Sequence, residues 1–278
     1  MIDYHVHTDH SVDASGTIAE YCARALEIGL NEICFTNHCE LDPERNDSFI
    51  IFNGRREPFS KENLLRLQKE IFDARERFKE QGLNVKFGIE VGYDPGIETI
   101  IKDIIDCVDL DFVIGAVHCL GHICIDSSKE CGSYFDRHDM DEYIEDYYTT
   151  AAALIKSRLF DSLAHFDVYK KYGRDRYGPA INNFPRDAAT RVFQLMVAND
   201  VALEINTAGM RFMNEFYPGP LLTELAHDCG LRRITIGSDS HRPTDLAKDL
   251  ALAFDYARSY GFKETCTFDR RRSSTISI

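Results

Sequence analysis

MIDYHVHTDH, residues 1–10, contains a short β-like run, Asp3–His7, that closes on two histidines two positions apart. Side chains at i and i+2 of a strand share a face, so His5 and His7 point the same way. Further runs of this kind recur at Glu32–Thr36, Val85–Val91, Phe112–His118, Ser162–His165, Ala202–Asn206 and Arg233–Ser238. Between them lie amphipathic stretches at helical spacing. The first opens with the capping-box pattern of Thr17 and Glu20 and aligns Ile18, Tyr21, Cys22, Ala25 and Leu26 before Gly29. The second starts at Ser60, carries Leu64, Leu67, Ile71, Ala74 and Phe78 on one face, and stops at Gly82. The same spacing predicts helices over Glu98–Asp106, Met140–Arg158, Arg186–Asn199, Pro220–Cys229 and Thr244–Tyr260. Strand–helix alternation predicts an α/β fold on a parallel sheet, either closed into a barrel or open and doubly wound. The charged stretch Glu40–Ser60 and the segment Leu120–Asp139 read as long loops after the second and fourth strands.

No repeat, low-complexity tract or Pro/Gly/Ser linker divides the 278 residues, so residues 1–278 read as a single domain. With 32 basic against 46 acidic residues, the net charge of −14 argues against a general nucleic-acid surface. It is also awkward for a phosphate-binding protein unless bound cations offset the local field. No apolar run is long enough to span a membrane, and the N-terminus lacks the basic-then-apolar pattern of a secretory signal. The nine cysteines form no Cys-x-x-Cys pair and read as free thiols in a reducing cytosol, with Cys22, Cys34 and Cys107 on apolar faces.

The ionisable residues fall at the strand ends. His5 and His7 close the first strand, His38 follows the second, and Glu90 closes the third. His118 closes the fourth and His165 the fifth, while Asp239 and His241 follow the seventh. Asp13 lies in the loop after the first strand, which also holds His10. A single histidine at a strand end is ordinarily a structural residue. Six of the ten histidines at successive strand ends, together with carboxylates, instead describe a metal site at the end where barrel active sites assemble. Imidazole and carboxylate together suit zinc, iron or manganese, and a carboxylate can bridge two ions. His122 and His138 sit in polar loop sequence, solvated or near the site mouth, and His227 reads as a structural helix residue.

These motifs resemble those of the PHP (polymerase and histidinol phosphatase) family, and within it the histidinol-phosphatase branch. The family resemblance rests on HVHT at 5–8, TNH at 36–38, GIE at 88–90, AVH at 116–118, AHFD at 164–167 and GSDSH at 237–241. The branch is favoured by EINTAGMR at 204–211, EFYPGP at 215–220 and the terminal CTFDRRRSSTISI. The resemblance implies a distorted (β/α)7 TIM-like barrel with three divalent metal ions. Carried over by position, it implies His5, His7, Glu90 and Asp239 around the first ion. Glu90, His118 and His165 would hold the second, with Glu90 as bridge, and Asp13, His38 and His241 the third. Asp13 fits the family spacing better than His10.

The implied reaction is hydrolysis of a small phosphate monoester, histidinol phosphate in histidine biosynthesis, with His5, His7, Glu90, Asp239 and His241 at the catalytic centre. A hydroxide bridging two ions ~3.5–4 Å apart is a nucleophile at neutral pH. Arg211, after the sixth strand, is the first choice for gripping phosphate. Lys170, Lys171, Arg174 and Arg176 form a basic patch that reads equally as substrate-binding, through Lys170 and Arg174, or as a solvated face. Arg270, Arg271 and Arg272 read as covering apolar surface or pairing with acids. The competing readings are a nucleotide or oligonucleotide phosphoesterase on the same scaffold and a non-catalytic metal-binding regulator. The expected partner is a small phosphate ester, with neither long nucleic acid nor membrane.

Overall fold

The computed structural model describes all 278 residues. Seven strands form one parallel sheet in chain order: β1 (Ile2–Val6), β2 (Glu32–Cys39), β3 (Asn84–Gly92), β4 (Phe112–Ala116), β5 (Ser162–Leu163), β6 (Ala202–Asn206) and β7 (Ile234–Gly237). The ring closes just beyond β7, where the His7 N–H donates to the Ser240 carbonyl (2.9 Å) and the Asp239 N–H to the His5 carbonyl (2.8 Å). Asp3 stitches the same seam, its Oδ1 accepting from the Ser238 N–H at 2.8 Å. The sheet is thus a nearly closed, distorted (β/α)7 barrel of the TIM type rather than an open doubly wound sheet. Between successive strands, and after β7, run α1 (Ile18–Glu27), α2 (Lys61–Lys79), α3 (Glu98–Ile105), α4 (Met140–Ser157), α5 (Arg186–Asn199), α6 (Pro220–Asp228) and α7 (Leu250–Ser259).

Both early helix starts follow their local chemistry. Thr17 accepts from the Glu20 N–H while the Glu20 carboxylate accepts from the Thr17 N–H, and Ser60 caps α2 through the Asn63 N–H. The apolar face of α2 (Leu64, Leu67, Ile71, Phe78) joins outward strand residues such as Ile33, Phe35, Val85 and Ile89 in one continuous buried cluster.

A phase shift in β1 prepares the barrel interior. Asp3 is in register with Ile33 but Val6 with Phe35, so β1 carries one residue more than β2 between those pairs. That bulge turns the strand over locally. Below it Ile2 and Tyr4 join the barrel-floor cluster with Phe112, Ile114, Ala164 and Ala202. Beyond it His5 and His7 turn toward Glu90.

Several segments differ from their sequence reading. The helix expected from Thr244 starts only at Leu250. Ala247 and Asp249 adopt positive φ (58° and 61°), because the Ala247 N–H bonds Asp3 and the Lys248 carbonyl accepts from Thr207. Contacts at the barrel seam override helix propensity there. The loop from Glu40 contains a hairpin, Phe49–Phe52 with Arg55–Pro58, turning at Asn53 and Gly54. The Leu120–Asp139 segment holds a tight hairpin tip and a short helix, Cys131–Phe135. The basic patch lies on a helix, Lys170–Tyr177.

The C-terminal segment forms an antiparallel hairpin, Glu264–Asp269 with Arg272–Ser277. It plugs the barrel floor, where Phe268 packs on Tyr4 and Phe112. Arg271 pairs with Asp161 at 3.0 Å, so at this position pairing with an acid is what the chain uses. No helix is long and apolar enough to cross a membrane.

The Tyr4 hydroxyl joins floor to plug, donating to Glu32 Oε1 (2.5 Å) and accepting from the Phe268 N–H (2.8 Å). Tyr4→Phe leaves both partners buried without it and should cost about 1–3 kcal/mol in denaturant unfolding. The folded fraction should keep its specific activity, because Tyr4 lies below the cavity. Unchanged stability would show that this hydroxyl does not tie the floor to the plug.

Candidate metal centre

The barrel places its ligand-type side chains at the C-terminal ends of the strands. His5 comes from the bulged part of β1 and His7 lies just past its end, while His38 comes from β2 and Glu90 from β3. His118, His165, Asp239 and His241 lie just past β4, β5 and β7. His165 and Asp239 adopt positive φ (25° and 51°), a strained backbone for residues with a Cβ and one that clusters at functional sites. Gly237 is required by close packing at the seam, since a Cβ there would meet His5 Cβ at 2.4 Å.

Glu90 is the centre of the arrangement. Its carboxylate lies between 2.9 and 3.5 Å from nitrogens of His5, His7, His38, His118 and His165. Asp239 Oδ1 approaches His5 Nε2 (3.7 Å), His7 Nε2 (3.4 Å) and His241 Nδ1 (3.5 Å). Asp13 reaches His38 Nε2 (3.5 Å) and His241 Nε2 (3.4 Å). The structure thus brings together nine of the residues singled out in the sequence. His10 is turned away: its Nδ1–H donates to the Ile51 carbonyl (2.8 Å) and its Nε2 faces Glu70 (3.2 Å).

Close as they are, several of these atoms are not hydrogen-bonded to one another. His5 Nε2, His7 Nε2, His38 Nδ1 and Glu90 Oε2 are buried with no hydrogen-bond partner, whereas His165 Nε2 meets Glu90 Oε1 at 2.9 Å. Buried polar atoms are normally paired, so donors that converge without aligning on each other fit a cation held between them. The subsets His5–His7–Glu90, Glu90–His118–His165 and His7–His38–His241 each bring three ligand atoms within 4.8 Å of one another. A set of imidazole nitrogens and carboxylate oxygens suits a divalent transition metal.

Electrostatics tell the same story. Burial opposes charge on His5, yet Glu204, Asp239 and Glu90 outweigh it and hold its pKa well above the usual imidazole value. Burial is likewise outweighed at His38 by Asp13 and Glu90, and at His118 by Glu90 and Glu40. Burial and the neighbouring His241 and His38 push His7 down to about 3. Against burial, the imidazoles draw the Glu90 and Asp239 carboxyls well below the usual carboxylate range. The carboxylates therefore call for positive charge, which protons on the imidazoles supply in the absence of metal.

Sequence reading missed the residues behind the ligands. Glu204 Oε1 accepts from His5 Nδ1 at 2.6 Å, and Glu40 Oε1 accepts from His118 Nδ1 at 2.8 Å. In each case the opposite ring nitrogen, Nε2, faces Glu90 Oε1 at 3.3 Å. The signal was spacing: Glu40 is two beyond His38, and Glu204 is two before Asn206 on the inner face of β6. A Cβ at Gly92 would strike the Glu40 carboxylate at 2.0 Å, so glycine makes room for it.

A cavity of about 440 Å³ opens over the cluster, its far wall formed by Asp126, Lys171, Arg211, Phe212, Arg242 and Asp245. Arg211 Nη2 donates to the carbonyls of Ser238 (2.9 Å) and Asp239 (2.8 Å), while its buried Nη1 has no partner. Lys170 and Arg174 do not line this cavity. Lys170 is buried against Asp167 (2.6 Å), and Arg174 is engaged by Glu215 (2.8 Å). From that patch only Lys171 reaches the cavity wall, where it pairs with Asp126 at 2.7 Å. His122 is exposed and held on Asp42 (2.7 Å), His138 stacks on Tyr134, and His227 packs on Phe262.

A PHP domain family model matches residues 3–208. The chain is 31% identical over 273 residues to a probable histidinol-phosphatase of Deinococcus radiodurans, covering 98% of both chains. It is 29% identical to a histidinol-phosphatase of Lactococcus lactis, covering 96% of this chain and 94% of that one. The crystal structure of a Lactococcus lactis histidinol phosphate phosphatase, complexed with zinc, L-histidinol and phosphate, superposes with a TM-score of 0.77 at 22% identity, covering 98% of each chain. The last comparison shows a shared fold.

The raised histidine pKa values give a pH test. In metal-free protein, the stability contributed by protonated His5, His38 and His118 is fully present below the unfolded imidazole pKa of about 6.5 and is lost as pH rises through their folded values. Metal binding needs those imidazoles deprotonated, so it strengthens over the same interval. The difference in Tm between zinc-loaded and chelator-treated protein should widen from about pH 6 to about pH 9. A difference that is constant or shrinks would contradict a metal-binding role for these histidines.

Proposed function

The chain belongs to the PHP domain family, and from that membership we propose that it is a metal-dependent phosphomonoesterase acting on histidinol phosphate. The observation that carries this reading is the clustering of nine nitrogen- and oxygen-bearing side chains, with the buried Glu90 at their centre, at the C-terminal ends of the barrel strands. The relatives named histidinol-phosphatase, similar over nearly their whole length, supply the substrate.

In this reading His5, His7, Glu90 and Asp239 hold one divalent ion, zinc, manganese or iron. Glu90, His118 and His165 hold a second, and Asp13, His38 and His241 a third. When bound, such ions supply Lewis acidity, drawing charge from phosphoryl oxygens and lowering the pKa of water. The chain's own groups set up the rest. Glu204 and Glu40 keep the protons of His5 and His118 on Nδ1, so that Nε2 presents a lone pair. Arg211 spans two tasks: Nη2 braces the carbonyls at the end of β7, and Nη1 is free to grip a phosphoryl oxygen. Arg242 adds positive charge to the same wall, Asp245 offers a carboxylate to a cationic amine, and Lys171 and Asp126, paired with each other, bring both signs. A wall bearing both signs complements a substrate that carries a phosphate at one end and an ammonium group at the other.

Phosphate release from histidinol phosphate should exceed that from mononucleotides and sugar phosphates when metal-loaded protein is assayed on a matched panel. A mononucleotide as the best substrate would overturn the substrate assignment. Arg211→Ala should lower kcat/KM by about 10²-fold, as expected for loss of a well-placed charged donor, with Arg211→Lys recovering part of it. Metal content should stay near that of the unaltered chain. Loss of metal in parallel with activity would assign Arg211 to bracing the Asp239 loop alone.

A further inference from the structure

The hairpin that follows His118 carries two cysteines. Cys119 and Leu120 pair antiparallel with Cys124 and Ile123 around a turn at Gly121 and His122, both at positive φ (52° and 67°). Register puts Cys119 directly opposite Cys124. The Ile125 N–H donates to the His118 carbonyl at 2.9 Å, so 118 and 125 are a hydrogen-bonded pair. Hydrogen-bonded and non-hydrogen-bonded pairs alternate along an antiparallel ladder, which makes Cys119 and Cys124 a non-hydrogen-bonded pair. At such positions Cα atoms lie about 4.5 Å apart, inside the span a disulfide can bridge. No other cysteine of the nine faces a cysteine across a strand pair: Cys34 meets Lys86, Cys39 meets Val91, and Cys266 meets Thr275.

We propose that Cys119 and Cys124 form an oxidation site, a dithiol that hydrogen peroxide converts into a cross-strand disulfide next to the metal-ligand set. Cys124 is half-buried and Cys119 buried, so the Cys124 sulfur is the one that meets peroxide. It attacks one peroxide oxygen, the O–O bond breaks, and a sulfenic acid and one water result. The Cys119 sulfur then attacks the Cys124 sulfur and displaces the hydroxyl as a second water. The two sulfurs together lose two electrons and two protons, and the peroxide gains both. The cross-link fixes the strand that begins one residue after His118, whose Nδ1 rests on Glu40. Oxidation thereby stiffens the wall of the metal pocket without removing a ligand.

The test treats reduced, metal-loaded full-length protein with hydrogen peroxide, alkylates the remaining thiols and maps the digest by mass spectrometry. The expected result is loss of two alkylatable thiols. The peptide containing both cysteines should be unalkylated and lighter by two hydrogens, and dithiothreitol should reverse this. Cys119→Ser and Cys124→Ser should each abolish the cross-link, whereas Cys131→Ser on the following short helix should leave it intact. Full alkylation of both residues after peroxide would overturn the proposal. So would a disulfide joining Cys124 to Cys131.

Discussion

A carboxylate buried inside a barrel needs compensating positive charge, and Glu90 is such a carboxylate. It is 1% exposed and meets five imidazoles from four other strands of the sheet. Burying a charge without a partner costs several kcal/mol, and weakly basic imidazoles offset that only while they carry protons. Asp239 and Asp13 add further negative charge to the same space. Cations shared among these groups relieve the desolvation and the mutual repulsion together. The same requirement would reconcile a −14 chain with a phosphate ester as substrate, because cations held by Glu90 and its neighbours would set the local field at the cavity.

Meeting that requirement shapes the surrounding fold. The bulge in β1 switches the inward phase from Tyr4 to His5, so one strand supplies both the barrel floor and two ligand-type histidines. Positive φ at His165 and Asp239 likewise places side chains where regular strand geometry would not. Glu204 and Glu40 fix the rings of His5 and His118, and Asp3 ties β1 to the segment beyond β7, which carries Asp239 and His241. Strain and buried polarity gather at the upper end of the barrel, while Tyr4, Phe112 and Phe268 make the lower end an ordinary packed core.

Much of this was legible in the sequence, for identifiable reasons. Strand starts and helix caps depend on local spacing, so the seven strands and the Thr17 and Ser60 helix starts were read within a few residues. The ligand-type residues stood out because they repeat at strand ends. Elements fixed by distant contacts were not legible. The C-terminal hairpin exists because Phe268 and Cys266 find the barrel floor, and α7 is delayed because the seam claims the backbone of Ala247 and Lys248. Lys170 and Arg174 looked suited to phosphate by charge alone. Charge carries no direction, and the partners that engage them, Asp167 and Glu215, lie 3 and 41 residues away in the chain. Glu204 and Glu40 escaped notice because they act through a histidine rather than at the cavity.

Glu90 and the eight ligand-type side chains gathered with it are proposed to hold three ions. Metal analysis of protein purified without chelator and then titrated with zinc or manganese tests this most directly, with Glu90→Gln measured in parallel. Saturation is expected at about three ions per chain for the unaltered protein, with loss of at least two in the variant, whose neutral amide removes the negative charge that two of the proposed sites share. A ceiling of one ion in the unaltered chain, or full loading of Glu90→Gln, would contradict this.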